Sequence, residues 1–240
     1  MAEDLHIVMH VPKTGGQTLR DHLQAKLAFH TEFIHLGPKG DSRAKHLGLA
    51  PWAERTPQER AKARVILGHD ASVFTKDLVP GERTVKYCGM LRDPASRMVS
   101  HYNFNVEFKW VRAGKDAPDW TWWSRGQKRN FMSCWIKENF LREPVEGVTD
   151  DGLYEDMTRL LSSFWLLGVS ERHQAFADAL CADIGIESTS GVRVNAAGER
   201  YPQRAMTTRE IAEAVYRDHP VDKAVYDWVL ARLDQNAAAA

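Results

Sequence analysis

Residues 6–20, His-Ile-Val-Met-His-Val-Pro-Lys-Thr-Gly-Gly-Gln-Thr-Leu-Arg, restrict the fold more than any other stretch. Ile7, Val8, Met9 and Val11 read as a buried strand, which Pro12 ends. Lys13, Thr14, Gly15 and Gly16 form a tight loop. Gln17 then opens a helix with Leu19, Leu23 and Leu27 on one face. A strand, a glycine loop and a helix N-terminus together make an anion site. Glycines let backbone N–H groups approach, the helix dipole favours negative charge, and Lys13 adds a full charge.

The order of residues narrows the anion. A nucleoside-triphosphate loop places its lysine after the glycines, whereas Lys13 precedes Gly15 and Gly16, and no such loop occurs elsewhere in the chain. That order argues against an ATPase or GTPase. The string His10-Val11-Pro12-Lys13-Thr14-Gly15-Gly16-Gln17-Thr18 resembles the 5′-phosphosulfate loop of carbohydrate sulfotransferases, the family of the heparan sulfate 2-O- and 6-O-enzymes. The resemblance implies a P-loop-like α/β fold and 3′-phosphoadenosine 5′-phosphosulfate (PAPS) as co-substrate. It assigns Lys13, Thr14, Gly15, Gly16, Gln17 and Thr18 to the 5′ end of that donor. Gln17 departs from the threonine or serine common in the family.

Composition sets outer limits. The chain has 240 residues, 43% of them hydrophobic, enough for one domain with a sizeable core. Lysine plus arginine balance aspartate plus glutamate at 32 each, which speaks against a general polyanion or nucleic-acid binder. Cys88, Cys134 and Cys181 are far apart and have no metal-ligand spacing, so they read as reduced buried thiols of a cytoplasmic protein. The acidic start, with strand one following at once, lacks the pattern of a signal peptide, and no run is long enough for a membrane span. Animal Golgi members of the resembled family carry an anchor and lumenal disulfides, so the resemblance implies a soluble, prokaryotic-type version.

Further strands are expected at 31–36, 64–70, 84–91 and 164–169, with a long loop over 37–55. Thr56, Pro57 and Glu59 should start a short helix reaching about Ala63. In open α/β sheets ligands sit beyond the carboxyl ends of strands. The third strand ends in Gly68-His69, which brings His69 to the edge where Lys13 lies. A Gly-His pair here supplies the general base in the resembled family, and His69 matches it; His10 and His101 are its competitors. No metal site is expected.

The fourth strand runs into Arg92-Asp93-Pro94-Ala95-Ser96-Arg97-Met98-Val99-Ser100-His101-Tyr102. Asp93 suits an N-cap and Pro94 the first helical position, with Ala95, Val99, Tyr102 and Val106 on the buried face. This string resembles the family's 3′-phosphate motif, which implies that Arg92 and Ser100 bind the ribose 3′-phosphate. An arginine fork suits that task because it can make two charge-assisted bonds to one phosphate.

Five of the eight tryptophans fall between Trp110 and Trp135, interleaved with phenylalanines and basic residues. Residues 103–162 read as a helical insertion over the acceptor side. Its aromatics either stack on an acceptor or form a packed subdomain. The same interleaving suits single-stranded nucleic acid, a more distant reading. The basic loop 192–204 offers Arg193, Asn195 and Arg200 as further donor contacts, matching a segment that closes over the nucleotide in relatives. Thr207 or Thr208 should cap a late helix, Pro220 should interrupt it, and Ala237–Ala240 should fray.

The expectation is a single domain over 1–236, built on a mostly parallel sheet with helices on both faces. It would transfer the sulfuryl group of PAPS to a hydroxyl of a carbohydrate or other acceptor, without nucleic acid as partner. The alternatives are a P-loop-type small-molecule kinase and a non-catalytic nucleotide-binding protein of the same fold.

Overall fold

A computed structural model describes residues 4–37, 47–188 and 205–239. Its frame is a five-stranded, wholly parallel sheet. The strands are β1 (Leu5–Met9), β2 (Phe33–Leu36), β3 (Val65–Gly68), β4 (Val85–Leu91) and β5 (Leu166–Val169), in the order β2-β3-β1-β4-β5. β1 is central, between β3 and β4. The chain leaves it toward one edge and later crosses to the other, so the switch point lies at the carboxyl end of β1.

Period-two alternation sorts the strand side chains onto two cores. Val8, Phe33, Val65, Leu67, Cys88 and Met90 face α1 (Gly16–Lys26) and a later helix, His173–Ile184. From these helices they meet Leu19, Leu23, Phe176, Leu180 and Ile184. Leu5, Ile7, Met9, Ile34, Leu36, Ile66, Leu91, Leu167 and Val169 face the opposite way. There they pack with Trp52 of α2 (Leu49–Ala53) and with helices from the second half of the chain. Burial on both faces is why these strands read as unbroken apolar runs. The three cysteines are buried free thiols, as expected.

The helix signals correspond closely to the structure. Thr56 and Glu59 form a reciprocal cap on α3 (Pro57–Arg60), although α3 stops at Arg60 rather than Ala63. Arg83 Nη1 donates to the Ala63 carbonyl, leaving that turn outside the helix. Asp93 caps α4 (Pro94–Asn105), accepting from the Ser96 N–H at 2.8 Å. α4 continues as a π-helical turn over Val106–Trp110. The insertion then supplies α5 (Trp120–Arg125), α6 (Phe131–Trp135) with its own π turn Ile136–Leu141, and α7 (Asp150–Ser162).

After β5 come α8 (His173–Ile184), α9 (Arg209–Asp218) and α10 (Pro220–Ala239). Thr208 caps α9, and the chain breaks at His219-Pro220 as expected. The alanine tail is a correction. Residues 237–239 continue α10 instead of fraying, since alanine has the highest helix propensity. Residues 37–55 are not wholly loop either, because Leu49–Ala53 forms α2 around the buried Trp52.

α6 is latched to the start of α10. Buried Asp222 accepts from the N–H groups of Met132 and Ser133, at 2.9 and 2.8 Å, and from the Ser133 hydroxyl. Asn130 answers by donating its own N–H to His219 Nδ1 and accepting from the Val221 N–H. Satisfied buried groups of this kind fix one orientation of the insertion relative to the sheet.

Candidate functional site

Four strands deliver polar residues to one sheet edge. β1 ends at Met9 and is followed by His10 and the Lys13 loop. β3 leads to His69, β4 to Arg92 and β5 to Ser170. Register sets their neighbourhood: Met9 pairs with Gly68 and Gly89, and Leu91 with Val169. Gly68 has φ 152°, and a Cβ there would fall 1.7 Å from the Leu36 carbonyl oxygen, so only glycine allows β3 to reach its end beside β2.

The loop between β1 and α1 is sharply curled. Lys13 has φ 74° and Gly15 φ 91°, two left-handed residues on either side of Thr14. The loop opens onto α1, which starts at Gly16, one residue before the expected Gln17. Its N-cap carries no side-chain hydrogen bond and its first turn no acidic residue; the Thr18 N–H turns back to the Gly15 carbonyl, and among the described residues nothing accepts from the N–H groups of Gly16 and Gln17, which face the position of an anion at the helix start. A Cβ on Gly16 would lie 2.2 Å from the His10 ring, so any larger residue there would displace His10.

Thr14 is buried and its hydroxyl donates to the Val11 carbonyl at 2.9 Å. Its side chain is thus committed to the loop rather than available to a ligand. Gln17 is exposed, and Thr18 is half-buried on the first turn of α1.

Arg92 ties the two motifs together. Its Nη1 donates to the Lys13 carbonyl at 3.1 Å. Its Nε is buried with no hydrogen-bond partner among the described residues. Burial lowers the Arg92 pKa against the opposing fields of Glu171 and Asp93. Arg97, one turn into α4, is only 2% exposed; its guanidinium lies 4.3 Å from the Phe131 ring centre, and its Nη1 also lacks a partner. Lys13 is half-buried, and burial, reinforced by the charge of Arg92, pushes its pKa down to about 8. Ser100 sits half-buried on α4 and makes no side-chain hydrogen bond among the described residues. The site therefore gathers cations whose remaining donors are not matched by acceptors among the described residues, and buried unmatched donors are costly unless a ligand meets them.

The histidines separate by environment. His69 Nδ1 lies 2.8 Å from the His10 carbonyl, which can only accept, so Nδ1 carries a proton and in the neutral ring Nε2 holds the lone pair. The His69 ring stacks on His10 at 4.3 Å and meets the edge of Trp135 at 6.1 Å. His101 lies against Trp123 and Phe131, and burial together with Arg97 drives its pKa to about 4. It is neutral throughout the physiological range and enclosed by aromatic rings. His10 serves as the shelf under His69 and the cover over Gly16.

The tryptophans divide as well. Trp123 is buried, and with Trp120 it packs around Tyr102, all three ring pairs lying within 5.8 Å. These two build a core. Trp122 points outward and is 69% exposed. Arg193, Asn195 and Arg200 lie outside the described residues.

Several contributors were not singled out from the sequence. Ser170 donates to the Thr14 carbonyl at 2.7 Å, with the Leu91 carbonyl at 3.1 Å, stitching loop to sheet. The His173 ring packs against the loop, 3.1 Å from where a Cβ on Gly15 would stand. Tyr216 donates to Asp93 at 2.6 Å, and Glu171 accepts from the Asp93 N–H, behind Arg92. The position of Ser170 directly after β5, at the same edge as His69 and Arg92, was the signal available for it. Among the described residues no cluster of three or more His, Cys, Asp or Glu side chains could hold a metal ion, and no helix is long and apolar enough to cross a membrane.

No family model matches the chain, and no curated protein matches it significantly. Among solved structures it is similar to one described as a sulfotransferase from Alicyclobacillus acidocaldarius. The identity is 17% and the TM-score 0.44, over 96% of this chain and 97% of that one. A likeness of that size carries no functional weight.

Proposed function

We propose that this protein transfers the sulfuryl group of PAPS to a hydroxyl of an acceptor, with carbohydrates as the first acceptor class to test. The observation that carries the reading is the hydrogen bond from Arg92 Nη1 to the Lys13 carbonyl, which joins the two phosphate-type motifs at one sheet edge. Beside them, His69 presents the correct tautomer for a base. A donor phosphorylated at both ends needs two linked anion sites. A nucleoside triphosphate held by one loop does not.

In the proposed reaction His69 Nε2 takes the acceptor hydroxyl proton as the acceptor oxygen bonds to sulfur. The bond from sulfur to the bridging oxygen breaks, and that oxygen leaves with the nucleotide's 5′-phosphate. Lys13 and the N–H groups at the start of α1 stabilise the charge growing there. The other edge of the Arg92 fork, with Ser100, holds the 3′-phosphate. The His10 carbonyl keeps the His69 proton on Nδ1 and stabilises the imidazolium once Nε2 is protonated.

Titration with 3′-phosphoadenosine 5′-phosphate, ADP, and ATP with and without Mg²⁺ tests the donor assignment, and labelled PAPS offered with pools of hydroxyl compounds tests transfer. Preference for the 3′-phosphorylated nucleotide with label transfer is expected. Preference for Mg²⁺-ATP would move the reading to a phosphotransferase. Tight binding with no transfer to any acceptor would move it to a non-catalytic nucleotide-binding protein.

A further inference from the structure

Among the described residues the Lys13 ammonium has no carboxylate within ion-pair distance. Nζ lies 4.4 Å from the centre of the Phe104 ring, and no ion pair or side-chain hydrogen bond holds it among the described residues. Phe104 is the first member of a column along the end of α4 and its π turn. Its ring centre lies 4.7 Å from that of Phe108, and the guanidinium of Arg112 lies 4.1 Å from the Phe108 ring centre. Glu107 fixes Arg112 through a 2.9 Å hydrogen bond. Phe104 stands on α4, Phe108 in the π turn that continues it and Arg112 in the 3-10 turn Val111–Ala113 that follows. The π turn Val106–Trp110 falls within this column, and such widened turns are frequent at functional sites.

An aromatic face suits a lysine that must stay charged without being committed. A carboxylate would satisfy the ammonium and then compete with every incoming anion. A ring face attracts the cation and offers no counter-charge to displace. We propose that Phe104 is a positioning residue for Lys13, its ring holding the ammonium at the loop until an anionic donor draws it away. The donor's identity rests on the sulfuryl-transfer reading; the seat itself does not.

Fields from neighbouring elements act on Lys13. Arg92, at the end of β4, and Arg97, on α4, oppose its charge, while Glu107 supports it. His101 on α4 stays neutral above about pH 4 and does not change across the range of interest. A Phe104→Leu change keeps the site apolar and removes only the ring. The test follows Lys13 by NMR in the folded full chain with isotopically labelled lysine, the signal assigned with Lys13→Arg. In Phe104→Leu the titration midpoint should fall by roughly half to one and a half pH units, and Phe104→Trp should restore it. Ring-current shifts on the Lys13 side chain should be present in the wild type and lost on adding 3′-phosphoadenosine 5′-phosphate. An unchanged midpoint in Phe104→Leu, with or without a lower melting temperature, overturns the proposal. So does a ring-current signature that survives binding. If the midpoint moves but 3′-phosphoadenosine 5′-phosphate does not bind, inorganic pyrophosphate replaces it in the displacement measurement. Loss of the signature then upholds Phe104 while the sulfuryl-transfer reading falls.

Discussion

Replacing Arg92 with alanine separates the two anion sites. Nη1 is committed to the Lys13 carbonyl, while Nε is buried with no partner, and the Nε–Nη2 edge makes no hydrogen bond among the described residues. That edge can form two parallel bonds to one phosphate. Each charge-assisted bond contributes about 1.5–3 kcal/mol. Two of them give a preference for a 3′-phosphorylated nucleotide of roughly 10²–10⁴-fold. Arg92→Ala should erase most of that preference. The lost bond to the Lys13 carbonyl should weaken binding of 5′-phosphates to a smaller extent, because a half-buried carbonyl can be rehydrated. Isothermal titration with 3′-phosphoadenosine 5′-phosphate and with AMP, on wild type and variant, reads both effects, with circular dichroism to check the fold. Arg92→Lys keeps a charge without the fork and should recover only part of the preference. Equal affinity of the wild-type protein for the two nucleotides would refute the reasoning. So would a preference that survives Arg92→Ala.

His69→Ala should cost about 10²–10⁴-fold in turnover, as loss of a general base does, while 3′-phosphoadenosine 5′-phosphate binds normally; near wild-type turnover would remove His69 from the role and turn the search to His10, stacked on it. Because burial lowers the Lys13 pKa to about 8, the empty site loses this cation as pH rises through that value. Nucleotide affinity should therefore fall above about pH 8 and proton uptake should accompany binding there, and calorimetry in buffers of different ionisation enthalpy measures that uptake; pH-independent affinity between 7 and 9.5 would contradict the assignment. Trp123→Ala should destabilise by about 3–5 kcal/mol, the usual cost of deleting a buried aromatic, read by chemical denaturation. Trp122→Ala should leave stability nearly unchanged and raise the acceptor KM if the exposed indole contacts acceptor; unchanged KM would remove Trp122 from that role.

Much of this was legible in the chain because the signals are local. The run from Ile7 to Leu19 specifies a strand, a glycine turn and a helix from residue types alone, and Asp93-Pro94 and Thr56-Pro57 name their own helix starts. Arg92 and His69 could be placed at the sheet edge because a parallel strand has a definite carboxyl end. Tertiary structure decided what depends on which chains become neighbours. The register of β1 with β3 brings His10 under His69 and sets its tautomer. The crossing of α4 past the loop puts Phe104, rather than a carboxylate, beside Lys13. The inward turn of Thr14, the burial of Trp123 beside an exposed Trp122, and the closure of Ser170 onto the loop follow the same rule. Period and propensity determine which face of an element is apolar. Only packing determines which polar group meets that face, because that choice is made between residues far apart in sequence.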